Sequence, residues 1–273
     1  MLEGERPLLL VGAGRMGGAM LQRWLERGLD AARVTILDPA LATDRRAALA
    51  EAGVTMAATP ADAAGRDYAF VVLAVKPQTM AGALAEIAPL IAPDTVVVSI
   101  AAGVRLATFE TALSDAQPIV RAMPNTPAQI GMGMSVAIAN RHVGDMQRTA
   151  ADALLAAVGD VAWIDDEALL DAVTAVSGSG PAYVFLLAEC LGEAAREAGL
   201  PADLADRLAR QTVVGAGALL GESPLPAAEL RRNVTSPGGT TAAALEVLMA
   251  PDGWQALMTR AVEKAKRRSI ALG

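Results

Sequence analysis

The stretch LLLVGAGRMG, residues 8–17, is a short apolar run followed by the pattern Gly-x-Gly-x-x-Gly between Gly12 and Gly17. The run is typical of a buried strand, and residues 16–27 have the apolar spacing of a helix. In such a strand–turn–helix unit, Gly12 permits a tight turn, Gly14 lets main-chain amides approach a pyrophosphate, and the last glycine lets the helix pack on the sheet. The sequence therefore predicts a dinucleotide site here, with a glycine-rich turn that binds nothing as the alternative.

Four further apolar runs follow this unit, and they predict the remaining strands of a parallel sheet covered by helices. They are residues 34–37, 70–75, 96–100 and 119–122. After about residue 163 helical spacing replaces the strand pattern, and Pro181 in the segment SGSGP must kink or restart a helix. The predicted fold is an α/β Rossmann domain that binds NAD(P) over residues 1–163, followed by an all-α domain for substrate binding and dimerisation over residues 164–273.

Asp38 ends the second predicted strand, where a carboxylate can bind both hydroxyls of an adenosine ribose, and this favours NADH. Arg45 and Arg46 follow closely, and an arginine there can accept the 2′-phosphate of NADPH. The cofactor is therefore NADH or NADPH. The alternative for Asp38 is a turn-initiating role before Pro39.

Two later strand ends should also face the cofactor, because ligands of an open α/β sheet lie beyond the carboxyl ends of the strands. They are Ala74-Val75-Lys76-Pro77 and Ser99-Ile100-Ala101-Ala102-Gly103. Lys76, at a strand end before a proline, favours a role near phosphate or ribose, with a solvated lysine as the alternative.

Two segments are unusual for linkers, namely residues 121–127 (RAMPNTP) and 233–241 (NVTSPGGTT). The second resembles a small anion cradle, because its glycines leave successive amides accessible and its hydroxyls lie where a helix begins. This arrangement suits a carboxylate, and a plain helix N-cap is the alternative.

Composition narrows the class of protein. The chain has 273 residues and a formal net charge of −7, which argues against nucleic acid as a partner. One Cys and one His cannot form a zinc centre, so no metal site is expected, and Cys190 is expected to be a buried structural thiol. No apolar run reaches the length of a membrane span, and the N-terminus lacks a signal core, so we expect no membrane association and a cytoplasmic protein. Apolar faces on several predicted helices indicate at least a homodimer.

Taken together, these segments resemble the pyrroline-5-carboxylate reductase family, above all residues 171–183 (DAVTAVSGSGPAY) and 233–245 (NVTSPGGTTAAAL). The resemblance covers nearly the whole chain. It implies reduction of the cyclic imine 1-pyrroline-5-carboxylate to L-proline, the last step of proline biosynthesis, by NADPH or NADH in dimers or higher homo-oligomers.

The resemblance also implies roles for individual residues. On the substrate side, the carboxylate would lie at Ser236, Gly239, Thr240 and Thr241, with Glu167 close to the ligands and Thr174 near the imine nitrogen as the catalytic group. Together with the strand ends above, the implied cofactor contacts are Val11, Gly12, Ala13, Gly14, Arg15, Met16, Asp38, Ala74, Val75, Lys76, Pro77, Ala101, Ala102, Gly103 and Asn233.

The sequence departs from the family pattern at two places. Members that use NADPH commonly have a small hydroxyl residue where this chain has Asp38. The segment 221–226 does not align cleanly with the family's acidic stretch, so no catalytic glutamate is transferred from it.

A chain with one His, one Cys and no expected metal site suits this reaction. A protonated imine already carries the positive charge that hydride neutralises, so the protein chiefly has to position the reactants and exclude water. The first alternative, a β-hydroxyacid dehydrogenase, needs a catalytic lysine on the helical domain, and no lysine lies between Lys76 and Lys264. The second, a nucleotide-sensing regulator, would be supported by a basic surface or a helix-turn-helix segment, and neither is visible.

Overall fold

The structure is a computed structural model that describes residues 6–272. Its first part contains one mixed sheet with strands β1 Leu8–Val11, β2 Val34–Leu37, β3 Thr55–Ala57, β4 Phe70–Leu73, β5 Val96–Ser99, β6 Ile119–Met123, β7 Gly133–Ala139 and β8 Gly159–Trp163. The spatial order is β3-β2-β1-β4-β5-β6-β7-β8. Strand β7 runs antiparallel to β6, and the other neighbouring pairs are parallel. The first six strands have the 3-2-1-4-5-6 order of a Rossmann fold, which confirms the predicted fold class.

The two faces of this sheet carry separate apolar layers, because successive residues of a strand point to opposite sides. Leu8 and Leu10 pack with Trp24 in one layer, whereas the residues between and after them pack in the other layer with Phe109. The covering helices are α1 Arg15–Glu26, α2 Thr43–Glu51, α3 Met80–Ile87, α4 Leu106–Ala112 and α5 Asp145–Ala156. The buried Trp24 indole donates a hydrogen bond to the Leu154 carbonyl at 2.8 Å, which ties α1 to α5.

Three strands were not predicted. Strand β3 has only three residues and lies at the edge of the sheet. Strands β7 (GMSVAIA) and β8 (GDVAW) lack the dense β-branched runs of the others, and each begins with a glycine. A Cβ on Gly159 would overlap the main chain of Gly133, so these glycines allow a close approach that residue propensity does not reveal.

The remaining helices are α6 Leu170–Val173, α7 Gly180–Glu197, α8 Ala202–Glu222, α9 Ala227–Asn233, α10 Thr240–Leu248 and α11 Trp254–Ile270. A turn of π-helix over Thr174–Gly178 follows α6, and α7 begins at Gly180 with Pro181 in its first turn. The predicted interruption at the SGSGP segment is therefore confirmed. It takes the form of a π-helical turn, a feature often found at functional sites.

The chain divides into two compact units, the described residues 6–178 with 266–272, and residues 179–265. Residues 164–178 belong to the first unit because Leu170 packs with Val136 and Ile138 of β7. The predicted boundary near residue 163 was placed where the strand pattern of the sequence ends. The division into functional domains 1–163 and 164–273 stays a prediction.

The second unit has almost no core of its own in a single copy. All of residues 179–265 are described, and the buried ones are Gly192, Ala205 and Ala209, which are all small. Large apolar side chains are exposed instead, among them Phe185 at 63%. The expectation that Cys190 is buried is wrong for the single chain, because this cysteine lies exposed on the same helix.

The helical stretch Glu167–Glu197 is long and apolar enough to cross a membrane by length and composition alone. This is weak support for a span, since a helix with an apolar interface passes the same test. The expectation of no membrane association stays a prediction.

Candidate active site

The glycine turn after β1 is shaped by close contacts with the end of β4. Gly12 has φ +87°, and a Cβ there would lie 2.9 Å from the Ala74 carbonyl oxygen. A Cβ on Gly17 would collide with the main chain of Gly12 and lie 2.8 Å from the Ala74 Cβ. Gly14, in contrast, has open space around its Cβ position. The fold therefore requires Gly12 and Gly17 as glycine, and Gly14 leaves room for a ligand.

Helix α1 begins directly at this open position. Its N-cap is Gly14, which has no side chain to accept hydrogen bonds from the first amides of the helix. The N-terminus of a helix carries a partial positive charge and exposed N–H groups, so it can hold a pyrophosphate. The predicted contacts from Val11 to Met16 lie together around this cradle, and they fit a dinucleotide.

Asp38, at the end of β2, faces the glycine turn. Its Oδ2 accepts a hydrogen bond from the Ala13 amide at 2.8 Å, and its Oδ1 accepts one from the Ala40 amide at 2.9 Å. A carboxylate has about four acceptor positions, so both oxygens keep a free lone pair after these two bonds. Asp38 thus stabilises the turn and can still accept from a sugar hydroxyl.

The two nearby arginines each donate a hydrogen bond to a main-chain carbonyl, Arg45 in the glycine turn and Arg46 at the end of β2. Arg45 donates to the Ala13 carbonyl at 3.2 Å, and Arg46 donates to the Asp38 carbonyl at 2.7 Å. The Arg45 guanidinium also occupies the space where a Cβ on Gly18 would lie.

A cleft of about 440 Å³ opens at the carboxyl ends of β1, β2 and β4. It is lined by Val11, Gly12, Leu37, Asp38, Pro39, Ala58, Pro60, Val75, Gln78, Thr79, Gly82, Ala83, Glu86 and Ile87. Its position beside the pyrophosphate cradle suits the adenosine half of a dinucleotide. Lys76 is exposed between Val75 and Pro77 at the same sheet edge and is not one of the lining residues.

Three further predicted cofactor contacts, Ala101, Ala102 and Gly103, lie between β5 and α4. Gly103 has φ +78°, and it lines a second cavity of about 310 Å³ together with Glu167. These predicted residues therefore lie at the same sheet edge as the glycine turn.

Glu167 is engaged with protein groups in this cavity. Its Oε1 accepts hydrogen bonds from Arg121 Nη1 and from the Leu106 amide, both at 2.8 Å. The Arg121 side chain is 8% exposed and that of Glu167 is 27% exposed. Glu167 is a residue that the sequence predicts near the ligands, but no local pattern indicates its partner, because Arg121 lies 46 residues away.

Asn125 connects the segment 121–127 with the π-helical turn. Its side-chain amide donates to the Ser177 carbonyl at 3.2 Å, and its oxygen accepts from the Met134 amide at 2.8 Å. The carbonyl of Ser177 lies in the π turn, where regular helical bonding is interrupted. Two members of the unusual segment, Arg121 and Asn125, thus position the helical stretch from Glu167 to Gly178.

Thr174 opens the π turn and is half-buried. Its hydroxyl donates a hydrogen bond to the Leu170 carbonyl at 2.8 Å. With its hydrogen used in this way, the hydroxyl oxygen is left as an acceptor.

The predicted carboxylate cradle belongs to the second unit. Gly239 is the N-cap of α10 and offers no side chain to its first amides, those of Thr240 and Thr241. Gly238 has φ +67°, and the Gly239 amide donates to the Ser236 carbonyl at 3.0 Å, so the loop forms a tight turn below the helix start. Ser236 and Thr240 are exposed and Thr241 is half-buried. Asn233, a predicted cofactor contact, is exposed at the end of α9 in the same unit.

Comparison with known proteins matches both parts of the chain. Residues 167–272 match the family described as pyrroline-5-carboxylate reductase dimerisation, and residues 8–103 match the family of NADP oxidoreductases dependent on coenzyme F420. A pyrroline-5-carboxylate reductase from Pseudomonas aeruginosa is 42% identical over 97% of this chain and 96% of that protein. The chain belongs to the pyrroline-5-carboxylate reductase family. The family resemblance inferred from the sequence is thereby confirmed.

Solved structures of family members agree with this assignment. A pyrroline-5-carboxylate reductase from Coxiella burnetii is 33% identical, with a TM-score of 0.90 and coverage of 99% of both chains. The Plasmodium falciparum pyrroline carboxylate reductase, solved with NADP bound, is 27% identical, with a TM-score of 0.83 and coverage of 98% of both chains.

Proposed function

We propose that this chain reduces 1-pyrroline-5-carboxylate to L-proline, the last step of proline biosynthesis, with NADH or NADPH as the hydride donor. The observation that carries the proposal is the match along nearly the whole chain to relatives named for this activity. The protein works as a homodimer or higher homo-oligomer in the cytoplasm, without nucleic-acid or membrane partners.

The cofactor would lie with its pyrophosphate on the Gly14 end of α1 and its adenosine in the cleft beside Asp38. The nicotinamide half would face Ala101, Ala102 and Gly103. When bound, the dinucleotide supplies the hydride, and the protein residues supply binding, orientation and exclusion of water.

The substrate carboxylate would be held by the start of α10. The amides of Thr240 and Thr241 and the hydroxyls of Thr241 and Ser236 give a set of donors at the positive end of a helix dipole. The absence of a side-chain cap at Gly239 supports this role, because those amides otherwise depend on water.

Thr174 would orient the imine nitrogen. A protonated imine is an N–H donor, and the Thr174 oxygen is available as an acceptor because its own hydrogen goes to Leu170. Thr174→Val should therefore lower kcat strongly, whereas Thr174→Ser should keep most of it.

The proposal is tested with purified protein, reduced cofactor and synthetic 1-pyrroline-5-carboxylate, by following loss of the reduced nicotinamide and formation of L-proline. A parallel assay with 3-hydroxy acids and oxidised cofactor tests the β-hydroxyacid dehydrogenase alternative. Turnover of hydroxy acids without reduction of the imine would refute the proposal.

A further inference from the structure

The cleft that suits the adenosine half of the cofactor is acidic. Two of its lining residues are carboxylates, Asp38 and Glu86, and the lining residues, all within the described chain, include no Lys or Arg. A ribose with two free hydroxyls can donate to a carboxylate, whereas a 2′-phosphate brings about two further negative charges beside it. Like charges placed together in this way oppose binding strongly.

Asp38 is also fixed in place, so it cannot easily turn away from a phosphate. The two hydrogen bonds from Ala13 and Ala40 hold its carboxylate at the mouth of the cleft. Moving it would break the contact that stabilises the glycine turn.

The two arginines near Asp38 each donate a hydrogen bond to a main-chain carbonyl. Arg45 is directed back over α1 to the Ala13 carbonyl and Gly18, and Arg46 binds the Asp38 carbonyl. Neither arginine lines the cleft. Among the residues that line the cleft, the charged side chains are therefore both carboxylates.

From these contacts we infer that Asp38 makes this reductase selective for NADH over NADPH, by accepting from the ribose hydroxyls and repelling the 2′-phosphate. This inference rests on the proposed function and deepens it, since it assigns the cofactor that the same site takes. It concerns binding, so it can be tested without turnover.

The experiment is isothermal titration of the purified full-length protein with NADH and with NADPH, in the absence of substrate. The wild type should bind NADH about ten-fold or more tightly than NADPH. Asp38→Ser and Asp38→Asn should both reduce this ratio to near one or below, chiefly by improving NADPH affinity. The asparagine variant keeps a side-chain acceptor for the Ala13 amide, so it preserves the turn if the serine variant is unstable.

Two further variants test whether the effect is specific to Asp38. Asp44→Asn removes the same charge from an exposed position in the first turn of α2, outside the cleft lining, and should leave the ratio unchanged. Arg46→Ala tests the alternative that Arg46 binds the 2′-phosphate of NADPH. A selective loss of NADPH affinity in that variant would support this alternative and contradict the inferred selectivity.

The outcomes distinguish the cofactor selectivity from the proposed reaction. Equal or tighter binding of NADPH by the wild type, or a ratio that Asp38→Asn does not change, would overturn the selectivity while leaving the proposed reaction intact. Failure to bind either dinucleotide would overturn the proposed function and the selectivity together.

Discussion

Arg121 and Glu167 form an ion pair of 2.8 Å between β6 and the turn that precedes α6, and the same carboxylate oxygen accepts the first amide of α4. One oxygen thus connects a central strand, the start of the helical stretch and the loop that follows β5. Because that loop contains Ala102 and Gly103, which are predicted cofactor contacts, we propose that Glu167 positions the nicotinamide end of the cofactor site.

Removal of the Glu167 carboxylate should destabilise the protein, because it leaves the Arg121 guanidinium buried without its partner. We expect Glu167→Ala to lower the free energy of unfolding by about 2–3 kcal/mol. Glu167→Gln, which keeps an acceptor, should recover part of this loss. Urea unfolding measures the effect, with the exposed neighbour Asp165→Ala as the control. Equal free energies of unfolding for Glu167→Ala and the control would show that the Arg121–Glu167 ion pair does not stabilise the fold.

Two glycines of the turn should respond differently to the same substitution. Gly17→Ala should destabilise the fold, since its Cβ collides with Gly12, whereas Gly14→Ala should leave the melting temperature nearly unchanged. Gly14→Ala should nevertheless weaken dinucleotide binding at least about ten-fold, because a methyl group blocks the approach to the amides. Thermal unfolding and titration with NADH separate the two effects. A Gly14→Ala protein that binds NADH normally would rule out the cradle.

Thr241 should matter for the imine and not for the cofactor. Thr241→Ala should raise the KM for 1-pyrroline-5-carboxylate about ten-fold or more, because a hydrogen bond to a charged group is lost. Its dissociation constant for NADH should stay within about two-fold of the wild type. Thr149→Ala, an exposed threonine of α5, is the control. Equal losses for both ligands would argue for a general disturbance.

The exposed apolar surface of residues 179–265 should be the dimer contact. Phe185→Glu is expected to shift the protein from dimer to monomer in light scattering, because a charge in an apolar interface carries a large desolvation cost. Met146→Glu changes a methionine that is 88% exposed on α5, and it should leave the dimer intact. If the wild-type protein is a monomer in light scattering at the concentration used for the activity assay, the proposed dimer is wrong.

The ion pair between Arg6 and Asp94 should make the stability of the protein depend slightly on pH in the acid range. The hydrogen bond from Arg6 lowers the pKa of the Asp94 carboxyl. This contribution is complete above the unfolded pKa of about 4 and is lost as the pH falls through the lower folded value. Both side chains are partly exposed, so the effect should be below about 1 kcal/mol. Urea unfolding at neutral and acid pH should show that the free energy of unfolding falls less on acidification in Asp94→Asn than in the wild type. An identical fall in both proteins would show that this pair does not contribute to the acid dependence.

The sequence predicted the parts of the fold that depend on local pattern. The five strongly apolar strands and the glycine turn were found because each is encoded within about ten consecutive residues. Helix α1 begins one residue before its predicted start, and Gly28 after it has φ +87°, as a left-handed cap requires. The helix interruption before α7 followed from Pro181.

The features of the fold and the site that the sequence did not predict depend on contacts between residues far apart in the chain. The pairing of Arg121 with Glu167 and the hydrogen bonds of Asn125 across 52 residues leave no local pattern. Strands β7 and β8 depend on the close approach of Gly133 and Gly159, which propensity scores as unfavourable. The predicted substrate contacts are divided between the two units, with Glu167 and Thr174 in one and residues 236–241 in the other.

The small-residue interior of residues 179–265 has a consequence for the working enzyme. We propose that this segment, which buries only Gly192, Ala205 and Ala209 in one copy, gains its apolar burial from a second copy, so that its folding depends on protein concentration. The loop from Ser236 to Thr241 belongs to that segment. Specific activity should therefore fall on strong dilution and return on reconcentration, which makes protein concentration itself a control on catalysis.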